Sequence, residues 1–180
     1  TSFTKAAFTD KYGDRQAPIG AIPYAGSFGM SSGSTSMAEL AEMGHSDEAQ
    51  GAQSYAFTVA MRDWHEDLQR DAPPPPWLQE LLDAFGGSQE TQFFLGPAGS
   101  GAPVHYHGHA VNVLAYGAKR WKLMPPSYAF YSKMPAEEFY MSRLAEGNMT
   151  GDNGLGSPNE LECVQHAGDV MFVPTLWGHG

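Results

Sequence analysis

Three histidines stand at alternate positions of one short segment, Pro103-Val104-His105-Tyr106-His107-Gly108-His109. On a strand, residues two apart face the same side, so His105 and His107 can present their imidazoles to one cavity, joined by His109 if Gly108 does not bend the chain. Neutral imidazole binds iron, zinc, copper and nickel, so the spacing predicts metal-ligand geometry without naming an ion. Polar barrel strands and surface strands carry the same spacing, and on this feature alone both interpretations stay open.

The elements that would position this segment are short strands. Apolar runs separated by turn residues indicate strands from Gln92 onward. We expect them at 92–95, 104–109, 111–116, 120–124, 161–165 and 169–173, with a surface helix at 136–145 and a mobile loop at 147–159. Short strands at this spacing are typical of a β-sandwich or a jelly-roll barrel.

The first half of the chain mixes helical and extended segments. We expect a helix at 3–12, a strand at 19–24, an exposed Gly- and Ser-rich loop at 26–36, a helix that begins after Ser36, a strand at 54–61, and a helix at 77–85 after the prolines at 73–76. A length of 180 residues suits one domain of ordinary size. We therefore expect residues 1–91 to form an extension with helices and strands, packed on a barrel formed by residues 92–180.

Composition narrows the possible partners. The chain has 10 basic and 20 acidic residues, a formal charge of −10, which argues against a nucleic-acid surface because phosphates require a basic stripe. The single cysteine, Cys163, excludes an internal disulfide framework and a multi-cysteine zinc cluster within this chain. No apolar run approaches the roughly 20 residues that a transmembrane helix needs. We therefore expect no nucleic-acid partner and no transmembrane segment.

Several blocks of residues 92–180, taken together, resemble the JmjC family, the jelly-roll oxygenases that use Fe(II) and 2-oxoglutarate. The segment 101–107 is similar to the strand that carries the family's first metal ligand. The segment 112–121, followed by Pro125-Pro126, resembles the next hairpin. The blocks that resemble the strand and turn delivering the distal histidine are Glu162-Cys163, 168–174 and Trp177-Gly178-His179. The resemblance implies a mainly β fold, the double-stranded β-helix of the jelly-roll or cupin type, with an α-helical N-terminal extension.

The same resemblance implies a metal site made of His105, His107 and His179. The family usually holds iron with two histidines and one carboxylate, which leaves open positions for 2-oxoglutarate and dioxygen. His107 stands where that carboxylate is expected. Replacing a carboxylate with a neutral imidazole leaves the site one unit more positive and changes the behaviour of the iron. Three-histidine iron sites occur in other jelly-roll proteins, so metal binding remains the expectation.

For the cosubstrate, Asn112 and Lys119 match positions that contact 2-oxoglutarate in related hydroxylases. Lys119 would make a charge-assisted bond to the distal carboxylate. A buried lysine needs an anionic partner, which favours this role if Lys119 points inward. The alternative is that Lys119 and Arg120 are surface residues of a hairpin. Ala102 stands where many relatives carry a threonine that assists 2-oxoglutarate binding, so the resemblance implies that one contact is lost.

Three functional hypotheses follow from these residues. The first is an iron-dependent oxygenase-like domain that hydroxylates a protein side chain with 2-oxoglutarate and dioxygen. The second is a catalytically silent JmjC fold that serves as a structural or partner-binding subunit of a larger assembly, which the altered triad and Ala102 favour. The third is a three-histidine dioxygenase that does not use 2-oxoglutarate. The direction in which Lys119 points would separate the third hypothesis from the first.

Two further expectations concern the context of the chain. A similar His-x-His motif occurs in a branch of small JmjC-only proteins of the secretory pathway, which together with the sequon Asn148-Met149-Thr150 suggests a lumenal location. The family continues with another core strand after the distal histidine. Because the sequence ends at Gly180, we expect the barrel to be incomplete at that end and its edge to be covered by something else.

Overall fold

The computed structural model describes residues 4–43, 54–59, 65–73, 75–85, 92–145 and 160–180. The helices are α1 (Lys5–Tyr12), α2 (Met37–Glu42), α3 (His65–Asp71), α4 (Pro76–Phe85) and α5 (Ala136–Ala145). The strands are β1 (Gln16–Gly20), β2 (Ser32–Ser36), β3 (Tyr55–Val59), β4 (Gln92–Leu95), β5 (Ala110–Val113), β6 (Ala118–Met124), β7 (Leu161–His166), β8 (Val170–Val173) and β9 (Gly178–His179). The predicted loop at 147–159 and the sequon at 148–150 lie outside the described residues.

The first sheet joins the two halves of the chain. Its strands are antiparallel in the order β2-β1-β3-β4, and β4 pairs with β3 from Gln92 to Leu95. Helices α1 and α2 cover the sheet, and the apolar core between them consists of Phe8, Tyr12, Ala17, Met37, Leu40 and Ala56. The division of the chain at residue 91 therefore remains a prediction about folding units, since one sheet crosses that point.

Helix α2 begins where the sequence predicted. The Ser36 hydroxyl accepts a hydrogen bond from the Glu39 amide, and the Glu39 carboxylate accepts one from the Ser36 amide, which is a capping box. The exposed loop predicted at 26–36 is wrong in its second half. Residues 32–36 form β2, which pairs with β1 along its whole length although the segment has almost no apolar side chains. Backbone pairing with a neighbour, rather than the local pattern, makes this strand.

The predicted strand at 19–24 is also displaced. The strand is β1, Gln16–Gly20, and the chain then turns through a short 3₁₀ helix at Ala25–Phe28. Tyr24 has a left-handed backbone with φ of 59°, which no strand accommodates. The strand therefore ends at Gly20, before Pro23.

Two smaller antiparallel sheets are built from residues 110–179. Strand β5 pairs with β8, and β6 lies between β7 and β9. The predicted strands at 120–124, 161–165 and 169–173 are confirmed within one or two residues as β6, β7 and β8. The strand predicted at 111–116 ends at Val113, and the hairpin then turns at Gly117, whose φ of 82° favours glycine.

The continuous strand predicted at 104–109 is wrong. Only isolated bridges occur there, from Pro103 to Pro135 and from His105 to His179. Val104 is fully buried and packs against Met124 of β6 and Tyr140 of α5, the helix predicted at 136–145. This packing holds the segment beside the sheet β7-β6-β9 without a regular ladder of backbone hydrogen bonds. Among the described residues, no helix is both long enough and apolar enough to cross a membrane.

Candidate metal centre

The backbone joins His105 directly to His179. The His105 amide donates to the His179 carbonyl at 2.9 Å, and the His179 amide donates to the His105 carbonyl at 2.8 Å. Strand β9, which ends at His179, is held in turn by β6, where Leu123 pairs with His179 and Met124 with Gly178. Two residues 74 positions apart in sequence are therefore fixed as a closely paired unit, since 179 − 105 = 74.

Three imidazole rings converge at this point. The ring centroids of His105 and His179 are 4.3 Å apart, those of His105 and His107 5.2 Å, and those of His107 and His179 4.8 Å. One ligand nitrogen from each ring lies within 4.8 Å of the other two. The structure thus brings together the three histidines that the sequence selected. His105 and His107 converge although their segment is not the regular strand that the sequence predicted.

Backbone carbonyls fix the tautomer of each ring. The Nδ1 atoms of His105, His107 and His179 lie 2.7, 2.8 and 2.9 Å from the carbonyls of Pro103, Gly108 and Trp177. A carbonyl oxygen only accepts, so each Nδ1 must carry the hydrogen and donate it. In the neutral ring, Nε2 then bears the free lone pair. This arrangement, in which a backbone carbonyl orients a ligating imidazole through its other nitrogen, is the usual support of a metal-binding histidine.

Burial keeps two of these rings neutral. His179 is 5% exposed, and loss of hydration, with a further contribution from the neighbouring His105, lowers the pKa of His179 to about 4. Loss of hydration also lowers the pKa of His105 below its ordinary value, although the hydrogen bond to Pro103 opposes the shift. Neutral imidazoles with free lone pairs are the form that coordinates a metal.

The donor set suits a divalent transition metal. Imidazole is a good ligand for iron, zinc, copper and nickel. Two nitrogens bound to one ion, at about 2.1 Å each, are separated by at most about 4.2 Å, so the rings must close slightly from 4.8 Å to bind it. Among the described residues, the cluster contains no carboxylate. His107, the exposed member of the three, stands at the position where the family resemblance predicts the acidic ligand.

His109 does not join this cluster. Its Nδ1 accepts a hydrogen bond from the Thr175 amide at 3.1 Å, and its ring stacks on Phe172. The chain bends at Gly108, as the sequence analysis allowed, so the alternation stops after His107. The site therefore uses two of the three clustered histidines and one distant histidine.

Lys119 does not lie at a hairpin surface, and it is close enough to His105 and His179 for its charge to lower the pKa of both rings. Its Nζ is 3.9 Å from the centroid of the Trp121 ring and 5.3 Å from that of Phe94. Within the described part of the chain, its ammonium makes no ion pair with a carboxylate. The residue as a whole is half-buried, but its charged end is buried enough to lower the pKa of Lys119 to about 8.

Asn112 lies on β5, and its side-chain oxygen is buried without a hydrogen-bond partner in the described structure. Its backbone carbonyl accepts a bond from Gln165, and Gln165 also accepts one from the Trp121 indole. The sequence analysis did not single out Phe94, Trp121 or Gln165 as site residues. The register of β6 and β7, in which Lys119 faces Gln165, is the signal that reveals Gln165.

The chain is similar in sequence to several known proteins. No model of a known protein family matches the chain. The chain is 32% identical over 117 residues to JmjC domain-containing protein 8 of Homo sapiens, a match that covers 65% of this chain and 40% of that protein. It is 30% identical over 138 residues to the 2-oxoglutarate and iron-dependent oxygenase JMJD4 of Homo sapiens, covering 66% of this chain and 32% of that protein.

A third relative is a plant protein. The chain is 26% identical over 148 residues to the arginine-specific demethylase JMJ20 of Arabidopsis thaliana, covering 66% of this chain and 32% of that protein. The chain therefore spans two fifths or less of the length of each of these three relatives.

Proposed function

Because this chain belongs to the JmjC-domain family, we propose that it is an iron-dependent oxygenase-like domain of the protein hydroxylase class, using 2-oxoglutarate and dioxygen. The relatives include a protein named as a 2-oxoglutarate and iron-dependent oxygenase. The proposal includes the fold: the two small antiparallel sheets, β5 with β8 and β7-β6-β9, would be the two sides of a double-stranded β-helix. The partner would be a protein substrate.

The observation that carries the proposal is the convergence of three imidazoles with their Nδ1 atoms held by backbone carbonyls. His105, His107 and His179 would hold Fe(II) through Nε2. The rings are oriented before any ion arrives, so little ordering remains to oppose binding. Iron bound with 2-oxoglutarate would supply the oxidising chemistry, activating dioxygen as the 2-oxo acid loses carbon dioxide.

Lys119 and Asn112 would hold 2-oxoglutarate. A buried ammonium without an anionic partner is costly, and a carboxylate at Lys119 Nζ would remove that cost. Trp121 and Phe94 exclude water from one side of the ammonium, which strengthens its attraction for a negative charge. Asn112 offers a second contact through its buried side-chain amide, whose oxygen has no partner among the described residues. Because the oxygen and nitrogen of an amide are told apart only by their hydrogen-bond partners, the unpaired end can equally be the NH2 group, which would donate to a carboxylate. The packing of Lys119 favours this function over a dioxygenase that does not use 2-oxoglutarate.

Metal content and turnover test the proposal on the full protein. The wild-type chain, loaded anaerobically with Fe(II), should bind one equivalent and then release succinate from 2-oxoglutarate in air. His105→Ala and His179→Ala should lose both properties, whereas His166→Ala, an exposed histidine on β7, should keep them. Iron binding by the two site variants equal to that of wild type would overturn the assignment of the ligands.

A catalytically silent subunit is the second candidate, and two features of the sequence favour it. His107 replaces the expected carboxylate, and Ala102 offers no hydroxyl for 2-oxoglutarate. For this function, the chain would fold and bind a protein partner within a larger assembly without iron. The same experiment separates the two candidates: a well-folded chain that binds neither Fe(II) nor 2-oxoglutarate supports the silent subunit.

A further inference from the structure

We propose that Gln165 is a positioning residue for the anionic cosubstrate: its carboxamide holds the Trp121 indole and the Asn112 backbone where Lys119 and Asn112 must meet the ligand. The inference rests on the proposed function, because it takes the cosubstrate to be a dicarboxylate. Gln165 touches neither iron nor ligand in this proposal, and it acts through its neighbours.

Both the oxygen and the nitrogen of the Gln165 side-chain amide are hydrogen-bonded within the protein. It is 2% exposed, its Oε1 accepts from Trp121 Nε1 at 2.9 Å, and its Nε2 donates to the carbonyls of Asn112 at 3.1 Å and Asp169 at 2.9 Å. The indole only donates and the carbonyls only accept, so the orientation of the amide follows from its partners. One side chain thus ties β6, β5 and the turn before β8 to β7.

The bond to Trp121 fixes the surface on which Lys119 rests. The Lys119 ammonium lies 3.9 Å from the centroid of the Trp121 ring, so a rotation of the indole would move or release the ammonium. Gln165 is also the direct partner of Lys119 in the β6–β7 register, which places both residues on the same face of the sheet. The Gln165 amide therefore sets the position of the charge that would receive the distal carboxylate.

The bond to Asn112 acts on the neighbouring sheet. β5 belongs to the sheet formed with β8, whereas Lys119 belongs to the sheet β7-β6-β9. Gln165 connects the two sheets at Asn112, so it fixes the spacing between the two groups that would grip one ligand. A small change in such spacing weakens a ligand held at both ends.

The chemistry of the position requires an amide. Glutamate at 165 could accept from Trp121, but it could not donate to the carbonyls of Asn112 and Asp169. It would also place a carboxylate opposite Lys119, where it would compete with the ligand for the ammonium. Leucine would remove the three hydrogen bonds without adding a charge. The two substitutions therefore separate loss of position from competition by charge.

The test measures binding of 2-oxoglutarate to the Fe(II)-loaded full chain under argon by calorimetry. The Kd should rise about tenfold for Gln165→Leu, about fivefold for Trp121→Phe and about a hundredfold for Gln165→Glu. The double variant Q165L/W121F should bind no more weakly than Q165L, because both changes break the same hydrogen bond. Gln16→Leu, an exposed glutamine on β1, is the control and should bind as wild type.

A second ligand distinguishes positioning from a general loss of structure. 2-Oxobutyrate lacks the distal carboxylate, so its Kd should change by less than about twofold in Q165L and Q165E if Gln165 acts through Lys119. Equal losses for both ligands, or no loss for 2-oxoglutarate, would overturn the role of Gln165 while leaving the proposed function in place. Failure of the wild-type chain to bind 2-oxoglutarate would overturn the proposed function and this inference together.

Discussion

Two lysines on strand β6 have opposite surroundings. Lys122 lies on one face, where its ammonium pairs with Glu162 and lies 3.5 Å from Glu160, above the ring of Tyr140. Lys119 lies on the other face, against Trp121 and Phe94, with no carboxylate partner among the described residues. Lys122 therefore has a counter-charge within the fold, whereas the counter-charge of Lys119 would be the ligand of the proposed function.

The surroundings explain this difference physically. Glu160 and Lys122 are both largely buried, with side chains 10% and 11% exposed, so each removes the cost of burying the other. Nothing in the described structure does this for Lys119, and its pKa falls to about 8 because burial disfavours the charged form. Strongly perturbed ionisable groups of this kind cluster at functional sites, which is the basis for the role proposed for Lys119.

The largest expected effect is on stability, from Lys122→Met. The substitution leaves Glu160 buried without its counter-charge, and we expect a loss of about 3 kcal/mol in the free energy of unfolding. Binding of 2-oxoglutarate by the folded variant should not change. Urea denaturation followed by calorimetry checks both outcomes. Unchanged stability would show that the two faces of β6 do not differ as we describe.

Lys119→Met is the matching substitution on the other face of β6, and it should weaken ligand binding without lowering stability. Lys119→Met removes an unpaired charge and keeps the apolar stem, so the free energy of unfolding should stay the same or rise slightly. The Kd for 2-oxoglutarate should rise about a hundredfold, since the distal carboxylate loses its charge-assisted bond. Calorimetric titration of Fe(II)-loaded protein measures the change. A strong loss of stability with little loss of binding would reverse the roles of the two lysines.

The pH dependence of binding sharpens the comparison. The pKa of Lys119 is lowered to about 8, so the ammonium is charged at pH 7 and increasingly neutral above pH 8. A bound dicarboxylate favours the charged form, and affinity should therefore fall as pH rises through 8, by about tenfold between pH 8 and pH 9.5. Calorimetry between pH 6.5 and 9.5 would measure this fall, which K119M should not show. A wild-type affinity constant over this range would mean that Lys119 does not hold the ligand.

The sequence predicted the strands and the site histidines better than the surroundings of Lys119. Strands β6 and β7 could be predicted from local patterns, and the three site histidines from their resemblance to the motifs of the JmjC family. The environment of Lys119 could not be predicted, because Phe94 comes from a different sheet and Gln165 lies 46 positions beyond Lys119. The strand at 32–36 escaped prediction for a related reason, since its serines and glycine acquire strand geometry only by pairing with β1.

The smallest expected effect comes from substituting Glu162, the more exposed of the two acidic partners of Lys122. Glu162 is 47% exposed, and its hydrogen bond with Lys122 lowers the pKa of its carboxyl, whereas burial raises the pKa of Glu160. Glu162→Gln should cost only about 0.5 kcal/mol in the free energy of unfolding, because water and salt screen an exposed pair. Glu160→Gln is the matched variant and should cost more, since it leaves the Lys122 ammonium with only the exposed partner. If urea denaturation gave the reverse order, the stabilising charge on this face would be the exposed carboxylate, and burial would not explain why Lys122 and Lys119 differ.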